Sequence, residues 1–466
     1  MQKSLETSPS KREAGNFWIL FLPLVGTTLS NYLFQLLEKL FLTRVSKEAL
    51  QAALNATYVC QIPQLASIAV VMMAQVFVAR WYSAREYQAI GPGLWQFIWF
   101  SLISMFITVP ASLFCGHWYF QGTGMETTAL PYLYLLTSFN FIYPLNASLS
   151  CFFLGMGKTR LILFVNIADQ VIKIFLGYLF IFGMDPWIPT LGILGGALSN
   201  LIAQGIFCLI LGSLFLQTKY RELYHTHRWK FELALFWNCI QSGLFRACNR
   251  IFGYGCWILI ARLMSTKGSD HLLILSIGGT LTLFFPFLFE AIYQAQTIVV
   301  SHLLGANKIA FLTRAARSSL ILIIGITILS AFPLLGFPSF TFACLFPGIS
   351  LDPQSIAVFF LGIWLWFVYF TFTAIPLSYV FAFKDTKFYF YAGVIFRTTD
   401  YCFMYLFINQ LLIAPKYFWI VLSLVQMTST LPIYYWRMRF LCKRDGVSRQ
   451  TENSQLPASN LGFIRK

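Results

Sequence analysis

The chain contains 466 residues, of which 58% are hydrophobic and 11% are charged. This composition excludes a water-soluble globular protein, because such a protein needs far more polar surface to cover its core. The formal net charge is +16, but the basic residues lie between long apolar segments, so we do not expect a nucleic-acid-binding protein. We expect an all-α polytopic membrane protein, in which helices satisfy the backbone hydrogen bonds inside the lipid.

The apolar pattern predicts about twelve transmembrane helices, each long enough for the roughly 20 residues that cross the hydrocarbon core. Runs such as LILIIGITIL at residues 320–329 do not alternate between apolar and polar positions, which argues against a β-barrel. The predicted segments, in chain order, are residues 16–42, 52–78, 93–115, 130–155, 161–183, 191–216, 233–263, 272–303, 318–342, 355–383, 388–412 and 417–436.

The positions of the basic residues predict the orientation of these segments. Most of the 33 Lys and Arg residues lie in the two termini and in the even-numbered connections. Cytoplasmic loops carry such an excess. We therefore expect a multi-pass protein of the cell inner (plasma) membrane with both termini in the cytoplasm.

Two pairs of similar sequences indicate an internal repeat. AQVFVAR at residues 74–80 is similar to AQTIVVS at 295–301, and KTRLILF followed by YLFI is similar to DTKFYFY followed by YLFI. Parallel repeats of this kind predict two pseudo-symmetric six-helix bundles. The predicted divisions are a cytoplasmic segment at 1–15, an amino-terminal lobe at 16–216, a cytoplasmic loop at 217–232, a carboxyl-terminal lobe at 233–440, and a cytoplasmic tail at 441–466 that is expected to be disordered.

Several short sequences, in this order and spacing, resemble the multidrug and toxic compound extrusion (MATE) family of transporters. They are GMGKTR at 155–160, LGILGGALSN at 191–200 and SHLLGANK at 301–308, together with Pro23 and Glu38 in the first segment. The resemblance implies two six-helix lobes around a central cavity. It also implies alternation between inward and outward openings, driven by entry of Na⁺ or H⁺.

The first segment carries the leading candidate for ion coupling. Pro23 resembles the proline that kinks the family's first helix, and Glu38 resembles its carboxylate. A carboxylate on a kinked helix can bind H⁺ or Na⁺, and its neutralisation then changes which helix packing is favoured. The alternative is that Glu38 lies near the outer end of the helix and reaches the interface together with Lys39.

The fifth segment departs from the family pattern. Lys173 and Gly177 occupy the positions where the family often has Asn and Asp, so a fixed ammonium stands in place of a cation ligand. We expect Lys173 to pair with Glu38, in a contact switched by protonation or substrate. Alternatively, Lys173 pairs with Asp169 on the same helix face, which satisfies both charges. Asn200 is either an additional ligand or a helix-packing residue.

The carboxyl-terminal half contains further ionisable residues within predicted segments, namely Arg246, Arg250, Glu290, Arg397 and Asp400. Charged groups in the hydrocarbon are costly and therefore mark candidate functional sites. A cavity rich in Arg favours anionic or zwitterionic substrates. The alternatives are that Arg246 and Arg250 reach the interface, and that Glu290 is either a second protonation site or a partner of an Arg.

The sequence thus predicts a secondary active antiporter that exports small organic compounds or drugs by alternating access, coupled to H⁺ rather than Na⁺. We expect no cofactor, no metal site, no nucleic-acid partner and a monomer in the lipid bilayer. One alternative is a flippase for an anionic lipid-linked precursor. The other, a membrane-embedded transferase, is disfavoured because no cluster of catalytic residues stands out, and we expect no enzymatic activity.

Overall fold

The computed structural model describes residues 17–122, 126–184, 189–284, 286–346 and 351–455. Within these ranges the chain is built from α-helices joined by short turns. In chain order they are α1 (Phe17–Val45), α2 (Lys47–Val71), α3 (Ala74–Ala84), α4 (Tyr87–Phe120), α5 (Glu126–Ser138), α6 (Ile142–Gly155), α7 (Thr159–Phe182), α8 (Ile193–Phe215), α9 (Thr218–Tyr224), α10 (Leu233–Ser265), α11 (Ser269–Phe284), α12 (Pro286–Gly305), α13 (Leu312–Ala331), α14 (Pro338–Leu345), α15 (Pro353–Ala382), α16 (Thr386–Tyr405) and α17 (Phe418–Gln455).

The all-α membrane architecture predicted from the sequence is confirmed. In the described part of the chain, eight helices are long and apolar enough to cross a membrane, or nine if α11 and α12, which meet at an angle of 40°, form one bent span. The predicted count of twelve stays a prediction. The predicted fourth segment is divided into α5 and α6, and α10 and α16 carry charged residues within their length.

Turns at glycine end several helices where the chain must reverse direction. Gly157, with φ of +76°, lies between α6 and α7, and Gly183, with the same φ, follows α7. Residues with a Cβ rarely adopt this left-handed conformation, whereas glycine adopts it without cost. The GKT sequence at residues 157–159 is therefore part of a turn between two helices.

The last helix extends beyond the predicted end of the twelfth segment. Apolar residues become less frequent after Trp436. Helix α17 nevertheless continues to Gln455, through much of the tail that was expected to be disordered. The end of an apolar run marks where the chain leaves the lipid. It does not mark where the helix ends, since polar residues such as Lys443 and Arg444 are themselves good helix formers.

The helix ends define two faces of the molecule. The connections at 85–86, 156–158, 217–232, 306–308 and 383–385 lie at one end, together with the carboxyl-terminal part of α17, and we call it the basic end. The connections at 46, 183–184, 189–192, 266–268 and 411–417 lie at the other, which we call the far end.

Three buried apolar clusters show how the two halves of the chain pack. The largest contains residues of both halves and comes from the segments nearest the basic end, such as Val76 and Leu94 from the first half and Ile298 and Val380 from the second. Towards the far end the cluster divides, and each half has its own core. The two lobes are therefore joined at the basic end and separate towards the far end.

The connection between the lobes is fixed to α4 of the amino-terminal lobe. Trp95 Nε1 donates a hydrogen bond to the Thr226 carbonyl at 2.7 Å, and Gln96 Nε2 donates to the Lys230 carbonyl at 3.1 Å. These bonds satisfy backbone carbonyls that lie outside regular helix. As a result, the connection is attached to the first lobe up to the start of α10.

Candidate functional site

The lobes meet at the basic end through polar contacts as well as apolar packing. The Arg80 guanidinium on α3 donates a hydrogen bond to the Ala382 carbonyl at the end of α15. Ser83 on α3 is hydrogen-bonded to Nδ1 of His302 on α12. These contacts join the two lobes at the basic end, and we call this region the seam.

The backbones themselves approach closely along the seam. A Cβ added to Gly305 would lie 2.4 Å from the Arg80 carbonyl oxygen, and one added to Gly243 would lie 2.7 Å from that of Val70. Deeper in the molecule, Thr28 Oγ1 on α1 donates to the Phe287 carbonyl on α12 at 3.1 Å. Glycine thus permits helix contacts that any side chain would hold apart.

Lys384, which follows α15 at the basic end, also faces the seam. Its Nζ lies 3.5 Å from the centre of the Phe77 ring on α3, a cation–π contact between the lobes. Burial, together with the neighbouring Arg80, lowers the pKa of the Lys384 amine to about 8. The positive charge is therefore costly in this position, and proton loss relieves that cost.

Helix α7 places a row of polar side chains inside the amino-terminal lobe. Asn166, Asp169, Gln170 and Lys173 are all buried on one face, whereas Phe164 and Phe175 are exposed on the other. Spacings of three and four residues bring these polar groups onto the same face. Helix α7 therefore directs its charged residues inward.

Asp169 and Lys173 form an ion pair within this row. Lys173 Nζ lies 2.6 Å from Asp169 Oδ2, and the two side chains are 6% and 3% exposed. The structure thus places Lys173 against Asp169, the partner proposed as the simpler alternative. The second carboxylate oxygen, Asp169 Oδ1, is buried without a hydrogen-bond partner among the described residues.

Three amide side chains continue the polar region from the ion pair towards α1. Asn31 Oδ1 accepts hydrogen bonds from Asn166 Nδ2 at 3.0 Å and from Gln170 Nε2 at 2.7 Å. Gln170 also donates to Asn166 Oδ1 at 3.2 Å. Sequence reasoning missed these residues, although amides four residues apart beside a buried charge would have indicated a polar face.

Glu38 and Asn200 lie on the same side of this lobe. Asn200 Nδ2 donates to the Tyr143 hydroxyl at 3.1 Å. That hydroxyl also interacts electrostatically with both Glu38 and Asp169. Glu38, which is half-buried on α1, therefore belongs to the same polar region as the Asp169–Lys173 pair.

Pro23 lies inside α1, as the resemblance implied. Thr27 Oγ1 donates to the Pro23 carbonyl at 3.0 Å, one helical turn later. Proline removes one backbone hydrogen bond from a helix and thereby weakens it locally. It lies between the basic end and the polar region, where bending of α1 would move Glu38.

In the carboxyl-terminal lobe, Arg250 and Glu290 lie close to the plane where the lobes separate. Arg250 on α10 is exposed and interacts electrostatically with Glu290 on α12. Both groups also interact with the Tyr32 hydroxyl on α1 of the other lobe. Gln294 Nε2 donates to Glu290 Oε1 at 2.8 Å. These contacts place Arg250 between the lobes.

Arg246, one turn earlier on α10, has a different environment. It is 8% exposed, and its guanidinium carbon lies 4.6 Å from the Phe381 ring centre and 5.6 Å from that of Tyr293. Aromatic faces stabilise a desolvated guanidinium. Arg246 is thus buried among rings, whereas Arg250 is accessible.

Arg397 and Asp400 form a second ion pair, on α16. Arg397 Nη1 lies 3.4 Å from Asp400 Oδ2, which also accepts a hydrogen bond from Gln426 Nε2 on α17 at 2.9 Å. Lys173 and Asp400 both lie five residues before a YLFI sequence of the internal repeat. Each lobe therefore carries an ion pair at an equivalent level, with the charges in opposite order.

Comparison with known proteins gives the relatives of this architecture. Residues 23–179 match the MatE family model, whereas the comparison with curated proteins gives no match. Among solved structures, a MOP superfamily transporter from Pyrococcus furiosus has 15% sequence identity and a TM-score of 0.79, and the similarity covers 93% of this chain and 97% of that chain. That structure is described as having a binding pocket of reverse polarity that suggests a different function.

Two further structures have the same architecture. The eukaryotic MATE transporter AtDTX14 is 14% identical, with a TM-score of 0.77, over 93% of this chain and 99% of that one. An outward-facing multidrug resistance MATE family transporter is 15% identical, with a TM-score of 0.77, over 92% of this chain and 97% of that one. The resemblance predicted from the sequence is confirmed: the chain matches the MatE family model over residues 23–179 and has the fold of the MATE and MOP superfamily transporters.

Proposed function

We propose that the protein is a secondary active transporter that moves small organic compounds across the inner membrane by alternating access. One observation carries this proposal: a single core joins both lobes at the basic end, whereas two separate cores lie towards the far end. A cleft between the lobes then opens at one side only. Because basic connections face the cytoplasm, this conformation is outward-facing.

The coupling ion is H⁺ rather than Na⁺. A Na⁺ site needs several oxygen ligands, and in this lobe Lys173 already places an ammonium beside Asp169 at 2.6 Å. A second cation there would meet direct charge repulsion. Glu38, whose charge acts on the Tyr143 hydroxyl, supplies a carboxylate that takes up a proton. Proton binding then favours the packing in which Glu38 is less hydrated.

The transported compounds are anionic or zwitterionic. Arg250 is an accessible cation between the lobes, and a guanidinium binds carboxylate or phosphate through two parallel hydrogen bonds. Arginine in the cleft repels simple organic cations.

The experiment is transport in liposomes that contain the purified full-length protein. Fluorescein, an aromatic anion, and ethidium, an aromatic cation, are supplied as probes under an imposed pH gradient or an imposed Na⁺ gradient. We expect fluorescein flux driven by the pH gradient, and little flux of ethidium. Flux driven by the Na⁺ gradient alone would contradict proton coupling, and a preference for ethidium would contradict the proposed substrate class.

Two variants locate the coupling site. Glu38→Gln removes the carboxylate at nearly constant volume and should abolish the response to the pH gradient. Glu86→Gln, on an exposed connection at the basic end, is the matched control and should leave the response unchanged. Gradient-driven flux that persists in Glu38→Gln would remove Glu38 from the mechanism. Accumulation of a lipid-linked precursor on depletion of the protein would favour the flippase alternative.

A further inference from the structure

The nitrogen–oxygen distance of the Arg397–Asp400 ion pair is long for two opposite charges. This distance is 3.4 Å, whereas charge-assisted hydrogen bonds are usually about 2.7–2.9 Å long. The Arg397 side chain is 45% exposed, and that of Asp400 is only 4% exposed. One partner is therefore accessible to a ligand, and the other is enclosed by protein.

The accessible side of Arg397 does not belong to the lipid-facing surface of α16. That surface carries apolar residues such as Tyr391 and Ile395, each 62% exposed. Asp400, by contrast, lies on the buried face with Gly393. Arg397 is directed towards α10, where Gly253 provides space; a Cβ there would lie 3.7 Å from Arg397 Nε. An exposed guanidinium on the inner side of a helix indicates a hydrated cavity.

Arg397 and the region between the lobes share a neighbour, Tyr389. The Tyr389 hydroxyl interacts electrostatically with Arg397 and also with Arg250, an accessible cation of the cleft. Tyr369 on α15 and Tyr434 on α17 face Arg397 as well. Aromatic rings around a guanidinium suit a ligand that combines a ring with an anionic group.

Asp400 depends on Arg397 for its counter-charge. Among the described residues, the titratable groups that face it from other helices are Cys256 on α10 and Tyr369 on α15, and both are ordinarily uncharged at neutral pH. Gln426 on α17 donates one hydrogen bond to Oδ2, whereas Oδ1 is buried without a partner among the described residues. If Arg397 turned to another anion, Asp400 would be an uncompensated buried carboxylate.

We propose that Arg397 is the receptor for the carboxylate of an aromatic anion, and that Asp400 takes up one proton when this anion binds. The Arg397–Asp400 ion pair breaks, an Arg397–ligand ion pair forms, and a proton from the solvent adds to Asp400. The ligand contributes one negative charge and the proton one positive charge, so the net charge of the lobe does not change. This inference rests on the proposed function and assigns its substrate site.

The test measures binding without transport. Benzoate is added to the purified full-length protein in detergent, and its affinity is measured by calorimetry at a series of pH values. One proton bound with each anion requires the benzoate affinity to fall about tenfold per pH unit where free Asp400 is ionised. Benzamide, the uncharged analogue, is the ligand control and should show neither specific binding nor proton uptake.

Variants assign the two roles. Asp400→Asn should bind benzoate with an affinity independent of pH and without proton uptake, because Arg397 no longer has a competing partner. Arg397→Gln should lose benzoate binding, and Arg397→Lys should weaken it about tenfold because the planar fork is absent. Arg262→Gln, an exposed position on α10, is the matched control and should bind like the original protein.

The outcomes are distinct from those of the transport experiment. An absence of benzoate binding, or binding that does not depend on Arg397, overturns the assignment of the receptor. Binding with an affinity unaffected by pH, or proton uptake that persists in Asp400→Asn, overturns the role of Asp400. A protein that binds benzoate with one proton but transports no probe in liposomes contradicts the proposed function and leaves this site intact.

Discussion

The Asp169–Lys173 pair should be a major determinant of the stability of the amino-terminal lobe. The two charges lie 2.6 Å apart, and both side chains are less than a tenth exposed. Replacing Lys173 by Met removes the ammonium at similar volume and leaves Asp169 as a buried, uncompensated carboxylate. Breaking a buried pair in this way costs about 3–5 kcal/mol, so Lys173→Met should unfold at a clearly lower temperature.

The assay is thermal unfolding of the purified protein in detergent, followed by tryptophan fluorescence. The double variant Asp169→Asn with Lys173→Met carries no charge at either position and should recover most of the lost stability. Lys219→Met, at an exposed position of α9, is the matched control and should unfold like the original protein. Such a double-mutant comparison isolates the coupling between two residues.

The same cycle distinguishes the two partners considered for Lys173. If Glu38 is the group whose charge Lys173 compensates, the double variant with Glu38→Gln recovers stability and the one with Asp169→Asn does not. An unfolding temperature of Lys173→Met equal to that of the original protein would refute the reasoning altogether. It would mean that Asp169 is neutral or hydrated when Lys173 is absent.

Three further predictions concern the seam and the α1 contacts. Gly305→Val should destabilise the conformation closed at the basic end by about 1–3 kcal/mol, because the added side chain overpacks against Arg80. The measurement is the rate at which a thiol reagent modifies Cys239, which is buried near the seam. A faster rate in the variant is expected, and an equal rate would contradict the prediction. The pKa of Lys384 is about 8 in the folded protein and 10.5 ordinarily, so the unfolded state binds more protons between these pH values. The free energy of unfolding should therefore rise from about pH 8 to 10.5. Thermal unfolding of Lys384→Met should lack this rise, and pH profiles identical to those of the original protein would count against the burial of the amine. Asn31→Leu removes the acceptor of two buried donors and should cost about 1–3 kcal/mol, whereas an unchanged unfolding temperature would mean that those donors find other partners.

The helices and their polar faces could be predicted from the sequence because both depend on local pattern. Asp169 and Lys173 are four residues apart, so their contact follows from the geometry of one helix. The contacts of Asn31 with α7 and of Gln426 with Asp400 join different helices, and one sequence carries no information on which helices are adjacent. The Ser83–His302 contact lies between lobes, and sequence pattern does not show how the lobes are placed against each other.

Sequence pattern also could not distinguish the environments of the two intramembrane arginines on α10. Arg246 and Arg250 share a helix face and are equivalent by sequence pattern, yet the structure buries Arg246 against Phe381 and leaves Arg250 exposed. The difference arises because the Arg246 guanidinium reaches the rings of Tyr293 on α12 and Phe381 on α15. A sequence-based interpretation could identify both residues as candidates but could not separate them.

The proposed transport mechanism requires the two lobes to open alternately at the basic end and the far end. Spin-label pairs at Arg85→Cys with Ala310→Cys, and at Gln51→Cys with Lys267→Cys, report these two ends after the exposed native cysteines are replaced. The distances are measured by pulsed electron paramagnetic resonance between pH 5 and pH 9. This range of about four units crosses the ordinary titration of carboxylates and His. Each pair should show two populations of distances. Alternating access predicts that the distance within one label pair lengthens as the distance within the other shortens. A single, unchanging distance at both ends would contradict it.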